Sequence, residues 1–272
     1  MKKLVLSFGL LLWGMLVFGS VHVPLAVRPG NNMHLVDASV DGVPCRMLVD
    51  TGATHTTFDL GFVTNRLPKA ELQTVEVRGT TNVKAAPRFF PYATFKLGGH
   101  AFSSKGAMAI PLEALAPSVG ERVDGILGMS DLSSVDFILR DRELVFAPSE
   151  AERKGFGPDV RKGGDAYRPF VAGTHGGREI PFLIDSGSSF TFVKEGLWKP
   201  STNDVALTAT EVSGKSAVRP RVGEEGVLEL GIPLMLKPMI ANREPNYLGA
   251  DVLPQYDILF LSSGRRISFR RR

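Results

Sequence analysis

The stretch Met47-Leu-Val-Asp-Thr-Gly-Ala-Thr-His-Thr-Thr-Phe58, MLVDTGATHTTF, decides how the rest of the chain is read. An apolar run drives straight into Asp50, and Thr51-Gly52 then turns the chain. A lone carboxylate at the end of a buried strand costs desolvation energy with no evident return. A partner acid would change that balance, so the first question is whether the chain contains a second one.

It does, because the chain repeats itself. LVDASVDGVPCRMLVDTGATHTTF (35–58) and FVAGTHGGREIPFLIDSGSSFTFV (170–193) align when 135 is added to the first numbering. Val36 then falls on Val171, Gly42 on Gly177, Leu48 on Leu183, Asp50 on Asp185 and Gly52 on Gly187. Each copy reads as strand, glycine-containing hairpin turn, apolar strand, Asp-[Thr/Ser]-Gly, and small polar residues leading to Phe. Further on, VDGILGMSDLSSVDFIL (123–139) is echoed by PNYLGADVLPQYDILF (245–260). Adding 121 there carries Gly128 to Gly249 and Asp136 to Asp257. Asp131 falls on Val252, so the short helical stretch after the glycine is not strictly repeated. RDRELVFA and SGRRISFR close the two copies as hairpin strands.

These boundaries predict an N-terminal lobe over 31–149, a linker over 150–164 and a C-terminal lobe over 165–272. Short strands with closely spaced turn signals predict an all-β class with a few short helices. Lys2-Lys3 followed by the apolar Leu4–Val21 reads as an export signal over 1–20, cut after Gly19, which predicts a periplasmic or secreted protein. The rival is an uncleaved inner-membrane anchor through residues 4–21 facing outward. Cys45, the only cysteine, cannot form an internal disulfide and reads as a small buried hydrophobe.

The formal charge of +4 falls when Lys2 and Lys3 leave with the leader, and it does not indicate nucleic acid. Arg265, Arg266, Arg270, Arg271 and Arg272 crowd the C-terminus, where a solvated tail is the plain expectation. The five histidines have no metal-binding spacing, so no metal or cofactor is expected. Ser188 and Ser189 lack a Gly-x-Ser-x-Gly elbow, and His55 reads as a surface or packing residue despite its nearness to Asp50.

Two copies of apolar-apolar-Asp-[Thr/Ser]-Gly-[Ala/Ser], each followed by apolar-apolar-Gly (Ile126-Leu127-Gly128 and Tyr247-Leu248-Gly249), resemble the pepsin and retropepsin superfamily of aspartic proteases. The copy length is nearer a retroviral-type protomer, which makes the chain similar to a tandem, single-chain, monomeric retropepsin-like form. The resemblance implies two pseudo-symmetric acid-protease-like β-barrel lobes with the active-site cleft between them. Asp50 and Asp185 would share a proton and hold the attacking water. Thr51 and Ser186 would brace the two loops, and Gly52 and Gly187 would let the backbones approach. The turns around Gly79 and Gly214 are candidate flaps over an extended polypeptide substrate. The resemblance also sets Ala53 where many pepsins carry a hydroxyl, while Ser188 keeps one. Loss of a hydrogen bond to the carboxylate would raise that acid's pKa and move the optimum towards neutral. Neither flap contains the aromatic of the pepsin flap, which leaves a second expectation open: a catalytically weak relative that binds peptides or a partner in the same cleft.

Overall fold

The computed structural model describes residues 19–272 apart from 29, 68–69, 75–86, 104–105, 162–166, 202–209, 212–213, 216–219, 243 and 262–265. The export-signal reading of residues 1–20 therefore lies almost entirely outside the described residues. Among the described residues, no helix is long and apolar enough to cross a membrane.

The chain is mostly strand, in three main sheets, as the all-β reading expects. The first sheet runs, in spatial order, Gln73–Thr74, Arg88–Pro91, Gly106–Ile110, Thr57–Asp59, Gly125–Leu127, Val43–Val49, His34–Val40, Phe95–Leu97 and His100–Ala101, with Ala26–Val27 paired to His34–Val40. The second runs Arg221–Val222, Met239–Ala241, Phe192–Lys194, Asn246–Leu248, Arg178–Ile184, Phe170–His175, Gly226–Leu230 and Ile232–Leu236. From Arg88–Pro91 onward the two orders correspond strand for strand, and so do the directions. Gly125–Leu127 lies parallel to Val43–Val49, and Asn246–Leu248 lies parallel to Arg178–Ile184.

Local chemistry sets the hairpins that feed each sheet. Asp41 and Gly42 both have positive φ, 48° and 80°, and so do Gly176 and Gly177, 56° and 78°. Two consecutive left-handed residues make the two-residue turn whose twist matches paired strands, and glycine takes that conformation without steric cost. The turns fix the register that follows, Leu35 opposite Leu48 and Phe170 opposite Leu183.

A third, six-stranded sheet joins both ends of the chain: Val21–Pro24, Glu143–Phe146, Phe137–Arg140, Tyr256–Leu261, Arg266–Arg271 and Val160–Arg161. At its centre Phe137 faces Phe260, with rings stacked 4.4 Å apart. Alternation puts Phe137, Leu139, Phe146, Ile258 and Phe260 in the main core, while Ile138, Val145, Leu259 and Leu261 form a smaller cluster on the opposite face under Phe156. Each fully buried side chain of this size contributes roughly 2 kcal/mol, and the Phe137–Phe260 stack ties early chain to late chain.

Three expectations change here. Val21–Pro24 is already a strand with Val23 buried, so ordered structure begins before residue 31; two alternating residues are too few to signal a strand in the sequence. The 150–164 linker carries helix Glu150–Arg153, closed by a capping box between Ser149 and Glu152, and the edge strand Val160–Arg161. The arginine-rich end is not a free tail. Arg270 and Arg272 each meet the buried Asp257 at 2.6 Å, and Arg266 meets Asp159 at 3.2 Å.

Candidate active site

Strands Val43–Val49 and Arg178–Ile184 each end at an aspartate, and the two loops that follow are cross-braced. The Thr51 hydroxyl accepts from the Ser186 amide at 3.0 Å and donates to the Ile184 carbonyl at 2.8 Å. The Ser186 hydroxyl accepts from the Thr51 amide at 3.0 Å and donates to the Val49 carbonyl at 2.8 Å. Both residues are buried, so all four bonds lie away from competing water. This lattice uses the two hydroxyls that the resemblance singled out.

The brace sets the acids face to face. A Cβ built on Gly52 would sit 2.5 Å from the Asp185 carboxyl carbon, and one built on Gly187 would sit 2.4 Å from that of Asp50. Each carboxyl thus lies over the glycine of the opposite loop, where any side chain would collide with it. The Asp50 carboxyl accepts from its own loop, from the Gly52 amide at 2.8 Å and the Ala53 amide at 3.0 Å. Gly187 donates to Asp185 at 3.1 Å, and across the gap each carboxyl lies against the opposite loop's glycine.

Burial pushes Asp50 above the ordinary carboxylate range, against the lowering effect of its amide donors and of Asp185. Two carboxyls in contact and mostly enclosed by protein hold one proton between them more easily than two full charges. The paired aspartates of pepsin share a proton for the same reason. In the other loop the Ser188 hydroxyl donates to the Phe190 carbonyl at 2.8 Å, and burial is the largest cause of the upward shift of Asp50.

Beneath each loop the apolar-Gly segment closes the structure. The Asp50 amide donates to Leu127 and the Asp185 amide to Leu248, at 3.0 and 2.9 Å. A Cβ on Gly128 would strike the His55 carbonyl, and one on Gly249 that of Phe190, so only glycine fits under either loop. A second brace, missed in the sequence, lies at the same level. Thr56 accepts from the Gly128 amide and Thr191 from the Gly249 amide, each at 3.1 Å. The Thr56 amide then donates to the Ser130 hydroxyl at 2.9 Å, and the Thr191 amide to the Asp251 carboxylate at 3.0 Å. Comparing Asp131 with Val252 hid this pairing, because the equivalent residues, Ser130 and Asp251, differ in type. Their common offset of 121 was the available signal.

His55 bonds Thr54 and stacks with Tyr167. Gly214 begins the return strand Gly214–Lys215, pairing with Thr210–Glu211, and the latter lies against Glu113–Leu115. Gly79 lies outside the described residues; the strands leading to it, Gln73–Thr74 and Arg88–Pro91, pair antiparallel. Cys45 is buried, which drives its thiol up to about 12 and leaves it unreactive. Among the described residues, no group of three or more His, Cys, Asp or Glu is placed to hold a metal ion.

A mostly-β chain with curled sheets, in which two Asp-[Thr/Ser]-Gly loops meet over a hydroxyl brace, is consistent with an acid-protease-like fold. Residues 36–130 match the family model described as aspartyl protease, a span that includes the Asp50 loop and Gly128. Over that segment the chain is similar to the retropepsin- and pepsin-like aspartic proteases. Comparison with curated proteins finds no match.

Proposed function

We propose that the protein is an aspartic endopeptidase whose Asp50 and Asp185 activate one water molecule between them. The observation that carries this reading is the crossed placement of each carboxyl over the opposite loop's glycine, 2.4–2.5 Å from a notional Cβ. One ionised carboxylate takes a proton from water, whose oxygen bonds to the substrate carbonyl carbon. The protonated partner donates to the carbonyl oxygen, giving a neutral gem-diol. The protonated acid then donates to the amide nitrogen while the other carboxylate takes a proton from a gem-diol hydroxyl. The carbon–nitrogen bond breaks to give a carboxylic acid and an amine, and the dyad ends with one shared proton, as it began.

The substrate is an extended polypeptide held by main-chain hydrogen bonds, with the Thr210–Lys215 hairpin as the covering flap from the second half. The exported, monomeric form read from the sequence fits this role. Casein cleavage blocked by a statine inhibitor of the pepstatin type is the expected result. Asp50→Asn and Asp185→Asn should each lower turnover by about 10³-fold or more. If either variant cleaves at near wild-type rate, the shared-proton mechanism is wrong.

A further inference from the structure

The two halves support their dyad loops from below with different chemistry. In the second half the support is a relay of hydrogen bonds. The Asp185 amide donates to the Leu248 carbonyl at 2.9 Å, and the next residue, Gly249, donates its amide to the Thr191 hydroxyl at 3.1 Å. Thr191 in turn gives both of its donors to Asp251, the hydroxyl to one carboxyl oxygen at 2.8 Å and the amide to the other at 3.0 Å. Thr191 is buried, so water does not replace a bond lost there. In the first half the Thr56 amide donates to the Ser130 hydroxyl at 2.9 Å, and Asp131 stands one bond further out, 3.3 Å from that hydroxyl.

An ionised carboxylate only accepts, and a bond to it is stronger than one between neutral groups. While Asp251 is charged, the Thr191 hydroxyl proton points at it, which turns the hydroxyl lone pairs towards the Gly249 amide. Once Asp251 is protonated, one of its oxygens becomes a donor and that direction is no longer imposed. Ser130 has no such pair of states. Asp251 is half-buried and lines a cavity of about 380 Å³ walled by Met235, Leu236 and Val252. Glu225 and Lys237, of opposite charge, are the other ionisable residues lining it. Burial raises the Asp251 pKa above the ordinary carboxylate value, against the lowering effect of both Thr191 bonds. A proton therefore arrives earlier on acidification than it would on an exposed aspartate.

We propose that Asp251 is a positioning residue for Asp185. Through Thr191 its ionised carboxylate holds the Gly249 segment against the underside of the Asp185 loop, and its protonation loosens that half of the dyad alone. The effect on cleavage rests on the endopeptidase reading; the effect on the loop does not. Asp251 acts through Thr191 and the Leu248–Gly249 segment, so it shapes the acid side of the activity profile without itself exchanging protons with the substrate.

The test has two arms. Amide hydrogen exchange, corrected for intrinsic rates, compares residues 185–192 with residues 50–57 as pH is lowered from about 7 to about 3. In the wild type, protection of 185–192 relative to 50–57 should fall by at least about fivefold. In Asp251→Asn, whose side chain does not titrate while the dyad still does, the ratio should stay flat. In the second arm, cleavage of oxidised insulin B chain should show kcat falling on the acid side more steeply in the wild type than in Asp251→Asn, with similar KM in both. A flat wild-type ratio, or an equal fall in Asp251→Asn, would overturn the positioning role while leaving the endopeptidase reading intact. A falling ratio in a wild-type chain that cleaves nothing would uphold the role in the loop and overturn the endopeptidase reading. Asp251→Ser, which imports the group of the first half, takes the place of Asp251→Asn if that variant does not fold.

Discussion

The first and second sheets share one strand order and differ in what is laid on top of it. Wherever the two dyad loops touch each other, the halves agree: the hydroxyls of Thr51 and Ser186 make mirror-image bonds, and Gly52 and Gly187 meet opposite carboxyls at nearly equal distance. Away from that contact they diverge. Ser130 stands where Asp251 does, the short helices Glu113–Leu115 and Ala116–Val119 pack over Leu48 in the first half, and buried His34 falls opposite Pro169 in the repeat. Mutual contact constrains both partners at once, because neither loop can change without colliding with the other. Residues that face only their own half carry no such coupling, and each half can solve its packing separately.

The sharpest way to break this comparison is at the shared contact. Gly187→Ala and Gly52→Ala should each displace the opposing carboxyl, lowering cleavage by about 10²-fold or more with circular dichroism unchanged. Comparable losses in the two variants are expected from their comparable clearances. A variant that retained full activity would show that the carboxyls need not lie over those glycines.

A smaller effect should mark the first half alone. His34 is fully buried with neither ring nitrogen hydrogen-bonded, and Asp141 lies 3.9 Å away. Burial lowers its pKa to about 4 from 6.5, so the folded state holds it neutral. The unfolded chain takes up the proton first as pH falls. The stability from neutral His34 is therefore complete above pH 6.5 and is lost as pH drops through 6.5 towards 4. The shift corresponds to about 3 kcal/mol by pH 4. Urea denaturation at neutral pH and near pH 4 should show His34→Leu losing less stability on acidification than wild type. An equal loss would mean His34 gains a proton in the fold without penalty.

The second brace should show the smallest difference. Thr191→Val removes both a donor to the half-buried Asp251 side chain and the acceptor for the Gly249 amide, whereas Thr56→Val removes the acceptor for Gly128. The additional lost bond should make Thr191→Val the costlier by about 1 kcal/mol. Equal melting shifts would indicate that Ser130 and Asp251 do the same work despite their chemistry.

Much of the site was legible in the sequence. The offset of 135 paired Asp50 with Asp185, Thr51 with Ser186 and Gly52 with Gly187, and the structure brings all six together at one site. What escaped were features whose partners have no common residue type. Ser130 and Asp251 accept the same kind of amide bond with different side chains, and Arg270 and Arg272 look like a solvated run until Asp257 is found beside them.

Sequence alone determined the strand periodicity, the glycine turns and the two acid-bearing loops, since these are local demands of backbone sterics and side-chain alternation. Tertiary structure alone decided that the arginine-rich end is a paired strand, that the linker is capped and built into the central sheet, and that Ser130 and Asp251 complete matching braces. Those outcomes depend on which distant residues arrive at the same place, and burial and charge pairing act on that arrangement rather than on neighbours in the chain.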